Sequence, residues 1–174
     1  MKQVSVPIFL VIILLALATA AAGQELVHAD LAGYSEVPSV ISPGGGEFIA
    51  TINEDWTEIE YTISYHGLRG DALQSHIHFA QEGVNGAIVV FICSNLGNGP
   101  AGTPACPTRE GEVSGTWTLD SVILATGQGL DDTPGALRRV IRAMTNGVAY
   151  VNLHSTRFPA GELRGQVEVV PEDD

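Results

Sequence analysis

The sequence has 174 residues, with eight basic and twenty acidic side chains, and a formal net charge of −12. Lys2 is its only lysine, so the rest of the chain carries seven arginines against twenty acidic residues, a net charge of −13. An acidic surface of this kind repels nucleic acid and anionic lipid, so we exclude both as partners. Such a surface attracts cations.

The first 22 residues have the pattern of a secretory signal peptide. Lys2 gives a basic start, residues 6–18 form an apolar run, and small residues follow at 19–23. The pattern predicts cleavage after Ala20 or Ala22, export to the periplasm or out of the cell, and no stable membrane insertion afterwards. The alternative is an uncleaved membrane anchor, although the run is shorter than the ~20 residues that a spanning helix needs.

The remaining chain of about 150 residues has the length of one domain, which we place at 26–170. Residues 171–174 form an acidic tail that we expect to be disordered. Cys93 and Cys106 are the only cysteines, and in an exported protein such a pair predicts a disulfide that contributes about 3 kcal/mol. The alternative, a pair of metal-binding thiolates, has a spacing that matches no standard zinc pattern.

Short strands separated by turn residues dominate the predicted elements. The clearest is 58–65, where apolar and polar residues alternate. One helix is predicted to begin near Pro134, capped by a residue of 131–133, and to end at Asn146. Together these elements predict an all-β fold, an antiparallel Greek-key β-sandwich with one short helix. The eight predicted strands are 26–31, 47–52, 58–65, 73–79, 87–93, 111–119, 148–154 and 162–170.

Three histidines lie on two of these strands with matching parity. His76 and His78 point to the same face because successive side chains on a strand alternate. On the strand 148–154, Asn152 and His154 point away from the apolar residues in the same way. If both strands bury their apolar faces, the three imidazoles converge on the outer surface of a sheet.

Converging imidazoles are a ligand set for copper or, less favourably, zinc. On the last strand, Glu162 and Arg164 share the outward parity with Asn152. Glu162 is a candidate fourth ligand or an acceptor that fixes an imidazole tautomer, and Arg164 is a candidate partner for Glu162 or for an anionic ligand. The alternative is that the histidines only form hydrogen bonds and that Glu162 pairs with Arg164 across the strands.

Five sequence blocks together resemble one known family: 31–38, 75–78, 83–86, 147–155 and 159–166. Over Leu26 to Val170 the chain is similar to the CHRD domain first described in chordin, an extracellular antagonist of bone morphogenetic proteins. The resemblance implies an exported single-domain protein with an extracytoplasmic protein as a further partner. It does not imply chordin's signalling role, because the cysteine-rich modules of chordin are missing here.

The His-x-His block also resembles the copper-binding strand of Cu/Zn superoxide dismutases, which are Greek-key sandwiches like immunoglobulin domains. That analogy implies copper ligands at His76, His78 and His154, with Arg164 near an anion channel. The bridging histidine and the zinc loop of those enzymes have no counterpart here. Three hypotheses follow: a copper-binding module, a copper-only superoxide dismutase-like enzyme, or a structural or protein-interaction domain without metal. The sequence has no Gly-x-Ser-x-Gly elbow, Walker loop, dinucleotide fingerprint or His-Glu-x-x-His motif. Residues for a Ser-His-Asp triad occur, but nothing in their spacing points to one.

Overall fold

A computed structural model describes residues 24–131 and 134–171. The predicted signal peptide and residues 172–174 of the acidic tail lie outside the described residues. Within them are one helix, α1 (Ala136–Thr145), three short 3-10 helices and nine strands. The strands are β1 (Glu25–Ala32), β2 (Gly45–Ile52), β3 (Ile59–His66), β4 (Ala72–Phe79), β5 (Ala87–Ser94), β6 (Gly111–Trp117), β7 (Ala149–Ser155), β8 (Leu163–Gln166) and β9 (Glu168–Val169).

All strand pairs are antiparallel and belong to one sheet in the order β5-β4-β7-β8-β1-β2-β3-β6, with β9 beside β1. The sheet curls until its two end strands meet, since the Trp117 indole N–H on β6 donates to the Phe91 carbonyl on β5 at 2.8 Å. The Tyr61 hydroxyl on β3 makes a similar bond to the Ile92 carbonyl at 2.9 Å. The predicted all-β antiparallel fold with one short helix is confirmed, and its strands form a nearly closed, barrel-like sheet.

One apolar core fills this sheet, and strand alternation explains its composition. On β3 the predicted apolar side is buried, from Ile59 to Tyr65. The aromatic rings of Tyr61 and Trp117 stack with centroids 4.1 Å apart. Fully burying side chains of this size stabilises the fold by about 1.5–3 kcal/mol each. The core therefore holds β3, β6 and β5 together across the point where the sheet closes.

The helix covers this core with the predicted apolar stripe, which includes Leu137, Val140 and Met144. It begins at Ala136 with Gly135 as its N-cap, and no side chain caps it. The capping predicted for 131–133 is not seen at Asp131, whose carboxylate accepts a bond from Arg139 instead. The other two candidate caps lie outside the described residues. No helix in the described part of the chain is long and apolar enough to cross a membrane.

Cys93 and Cys106 form the predicted disulfide. It ties β5 to the loop before β6, and the Asn95 side chain supports the same loop by bonding the carbonyls of Ala72 and Cys106. The disulfide restricts the unfolded chain. It also removes both cysteines from the possible metal ligands.

Candidate metal centre

Strands β4, β7 and β8 lie side by side and bring the three histidines together. In their register His76 lies opposite Asn152, which in turn lies opposite Arg164. One ring nitrogen from each of His76, His78 and His154 lies within 4.8 Å of the other two. The predicted convergence of the imidazoles is therefore present in the structure.

The prediction that these imidazoles are exposed on an outer surface is wrong. His76 is 0% exposed, His78 9% and His154 8%. The Phe91 ring packs against His76 in a T-shaped arrangement with centroids 4.5 Å apart. Strand parity identified the correct face of the sheet, but side chains and loops cover that face as well.

Two backbone carbonyls fix the tautomers of two imidazoles. His78 Nδ1 lies 2.9 Å from the Gly86 carbonyl, and His154 Nδ1 lies 3.0 Å from the Pro159 carbonyl. A carbonyl only accepts, so each Nδ1 carries the hydrogen and each Nε2 keeps a free lone pair. Those two Nε2 atoms and both ring nitrogens of His76 are buried without a hydrogen-bond partner.

Burial keeps these imidazoles neutral. It lowers the pKa of His76 to about 2, helped by repulsion from the charged forms of His154 and His78. It lowers the pKa of His78 to about 4, against the opposing effect of the Gly86 carbonyl and with further lowering by His154 and Arg164. Burial also lowers the pKa of His154. Near neutral pH all three rings are therefore in the form that binds metal.

The spacing of the nitrogens is close to that of a metal site. Two imidazole nitrogens that bind one copper or zinc ion at ~2.0 Å lie no more than ~4 Å apart. The three nitrogens in this structure lie within 4.8 Å of one another, slightly beyond that spacing. Three neutral nitrogens with this convergence can hold one metal ion.

Arg164 is coupled to the cluster through an aromatic stack. Its guanidinium carbon lies 3.4 Å from the centroid of the Tyr150 ring, and that ring stacks on His78 with centroids 4.8 Å apart. The guanidinium also donates to the Asn85 side-chain oxygen at 3.0 Å and to the Val84 carbonyl at 2.8 Å. Arg164 is 2% exposed. It therefore places a buried positive charge one aromatic ring, that of Tyr150, away from the candidate ligand His78.

The expectation for Glu162 needs correction. Its carboxylate accepts bonds from the Ser42 hydroxyl and the Arg69 backbone N–H, each at 2.7 Å, and from the Ser155 hydroxyl. None of its bonds in the described part of the chain reaches an imidazole or Arg164. Backbone carbonyls orient the imidazoles instead. Glu162 links the three chain segments that carry Ser42, Arg69 and Ser155.

We expect Glu162→Gln to destabilise the protein by about 2 kcal/mol. Bonds to a charged acceptor are worth about 1.5–3 kcal/mol, and the amide turns one acceptor of a fully buried group into a donor. Urea unfolding measures the change, with Glu168→Gln on the exposed β9 as the matched control. An unchanged midpoint in Glu162→Gln would contradict a structural role for this carboxylate.

Glu36 is a buried residue of the site that the sequence reasoning missed. Asn152 donates to its carboxylate at 2.5 Å and also to the Leu163 carbonyl at 3.0 Å. Burial raises the pKa of Glu36 to about 7, against the lowering effects of Asn152 and Arg164. A Cβ on Gly161, whose φ is +137°, would lie 2.5 Å from this carboxylate. In the sequence, the only indication that Glu36 belongs to the site is its position in the 31–38 block.

Comparison with known proteins identifies the family of the chain. No curated protein and no solved structure matches the chain. A family model described as CHRD domain matches residues 27–167, which include every strand from β2 to β8 and all three histidines of the cluster. The chain therefore belongs to the CHRD domain family.

Proposed function

We propose that this CHRD domain is an exported binding module that holds one transition-metal ion, copper in preference to zinc, on His76, His78 and His154. Family membership supports a binding or interaction module. The Cys93–Cys106 disulfide suits an oxidising compartment outside the cytoplasm. The acidic surface would raise the local concentration of cations.

The observation that carries this proposal is the set of four buried imidazole nitrogens without partners. Buried polar atoms in folded proteins are nearly always hydrogen-bonded, and each one left unpaired costs about 1–3 kcal/mol. If the histidines had a purely structural role, no interaction of these nitrogens would offset that loss of stability. A bound ion would satisfy one nitrogen of each ring and so account for the convergence.

Copper is favoured by ligand chemistry. Nitrogen sites bind copper more tightly than zinc in the usual order of affinities. Binding is favoured over superoxide turnover by the state of Arg164, because its guanidinium is stacked on Tyr150 and bonded to Asn85 and Val84 rather than open to an anion.

Metal content of the protein, expressed for export and purified without chelators, tests this function. We then titrate the metal-free protein with Cu(I), Cu(II) and Zn(II), alongside single alanine variants of His76, His78 and His154. His66→Ala is the matched control, because His66 is exposed on β3 outside the cluster. We expect one ion per chain, a loss of affinity of about 100-fold or more in the three variants, because loss of a mere outer-shell partner already costs about 10–100-fold, and no change in the control.

Two results would count against the proposal. A folded wild-type protein that takes up no metal above micromolar affinity would leave the histidines as structural residues. Superoxide dismutation by the copper-loaded protein, lost in His78→Ala, would instead support the copper-only enzyme.

A further inference from the structure

We propose that the cluster selects monovalent copper, Cu(I), over the divalent ions Cu(II) and Zn(II), and that Arg164 sets this selectivity. The inference rests on the proposed metal-binding function and goes one step further, to the charge of the ion. It follows from the donor set, from the packing around it and from the buried guanidinium.

The donor set offers three neutral nitrogens and no anion. His76, His78 and His154 are the only members of the cluster, and the Glu162 carboxylate is bonded elsewhere. Cu(II) prefers four or more ligands in a tetragonal arrangement, and Zn(II) prefers four in a tetrahedron. Cu(I) is satisfied by three. A site that supplies three neutral ligands therefore suits the monovalent ion.

The packing around His76 leaves little room for a further metal ligand. The Phe91 ring packs against His76 in a T-shaped arrangement, with an angle of 87° between the ring planes. A hydrocarbon ring offers no donor atom to a metal. Since all three histidines are at least nine-tenths buried, water has little room to complete the coordination of a divalent ion.

The guanidinium of Arg164 adds an electrostatic preference in the same direction. Two stacking steps of 3.4 and 4.8 Å separate it from the His78 ring. At an effective dielectric constant of about 20, a unit charge at that range penalises each additional positive charge on the metal by on the order of tenfold in affinity. In the described parts of the chain no carboxylate lies within ion-pair distance of Arg164, although Arg164 acts on the Glu36 carboxylate at longer range. Its charge is thus not cancelled by direct pairing.

The contacts of Arg164 provide a way to change this charge without disturbing the core. Asn85 accepts a bond from the guanidinium through its side-chain oxygen, yet Asn85 itself is exposed. Asn85→Asp keeps that acceptor and adds a negative charge directly against the guanidinium, and it removes only the exposed bond from the Asn85 amide to the Val37 carbonyl. Arg164→Gln removes the positive charge itself, and Arg164→Lys retains it.

Asn53→Asp is the matched control. It makes the same isosteric change at the β2–β3 turn, where the Asn53 side-chain oxygen accepts two backbone bonds that an aspartate also accepts. This turn follows Ile52, which pairs with Glu25 at one end of β1, whereas Arg164 pairs with Ala32 at the other end. The added charge is therefore far from the cluster.

The experiment measures dissociation constants for Cu(I), under anaerobic conditions with a chromophoric competitor, and for Cu(II) and Zn(II). We expect wild-type protein to bind Cu(I) at least about tenfold more tightly than either divalent ion. Asn85→Asp and Arg164→Gln should each reduce that preference by about tenfold. Asn53→Asp should leave it unchanged, and Arg164→Lys should retain most of it.

The outcomes separate this inference from the proposed function. Failure of wild-type protein to bind any of the three ions overturns the metal site itself. Tight binding with equal affinities for Cu(I) and the divalent ions, or an unchanged preference in Asn85→Asp, overturns the selectivity while the metal site stands. If Arg164→Gln does not fold, the exposed Asn85→Asp variant still decides the question.

Discussion

Replacing His76 with leucine is expected to stabilise the metal-free protein by about 1–3 kcal/mol while abolishing tight metal binding. Both ring nitrogens of His76 are fully buried without a hydrogen-bond partner. Each unpaired buried polar atom costs about 1–3 kcal/mol, and an apolar side chain of similar size removes that cost. A structural histidine with satisfied nitrogens would behave in the opposite way.

Urea unfolding of the metal-free wild-type protein and of His76→Leu measures this effect. The exposed His66→Leu serves as the control, and we expect it to change the free energy of unfolding by less than about 0.5 kcal/mol. Metal should reverse the order of stability. At a free-ion concentration 1,000 times the dissociation constant, wild-type protein gains about 4 kcal/mol, whereas His76→Leu gains none.

A loss of stability in metal-free His76→Leu would contradict this reasoning. It would mean that the imidazole bonds to a group or an ordered water that the hydrogen-bonding pattern does not reveal. The result expected here has a general meaning, because it would show that the domain gives up stability in order to keep three free ligands in its interior. Loss of stability in favour of function is common at functional sites.

The pairing of the histidines could be predicted from the sequence, because strand parity depends only on local alternation. His76, His78 and His154 were placed on one face by that rule alone, and β4 and β7 then had only to be neighbours. The burial of that face could not be predicted in this way. It depends on loops that reach the site from elsewhere in the chain, such as the one that carries Asn85 to the Val37 carbonyl.

The partners of the site residues were harder to predict than their faces. Arg164 has the predicted parity, but its guanidinium stacks on Tyr150 rather than pairing with Glu162. The imidazole acceptors are backbone carbonyls, which every residue possesses and which therefore leave no mark in a sequence. Glu36 reaches Asn152 from 116 residues away. Charge alternation on single strands contains no information about contacts of that range.

Acid is expected to destabilise the metal-free protein as the pH falls from 6.5 towards 4.5. The pKa of His76 falls to about 2 and that of His78 to about 4 in the folded state, and that of His154 is also lowered. In the unfolded chain all three bind a proton near pH 6.5. The unfolded state therefore takes up more protons as the pH falls below 6.5, and the free energy of unfolding decreases.

Glu36 acts in the opposite direction. Its folded pKa of about 7 lies above its unfolded value, so its neutral form favours the folded state at low pH, and this contribution is lost as the pH rises towards 7. Each such group changes the free energy of unfolding by about 1.4 kcal/mol per pH unit. His76 and His78, opposed by Glu36, leave a net decrease of about 1.4 kcal/mol per unit as the pH falls from 6.5 towards 4.5, and His154 adds to this decrease.

Urea unfolding at pH 7.5, 6.5, 5.5 and 4.5 measures this slope, and two variants assign it to residues. His76→Leu removes one histidine and should reduce the slope by about 1.4 kcal/mol per pH unit. Glu36→Gln removes the opposing group and should increase the slope by a similar amount, whereas His66→Leu should leave it unchanged.

A stability that stays constant between pH 6.5 and 4.5 would mean that the imidazoles are protonated in the folded protein. Neutral metal ligands would then be present only at higher pH, and the affinity for copper would have to rise with pH across the same range.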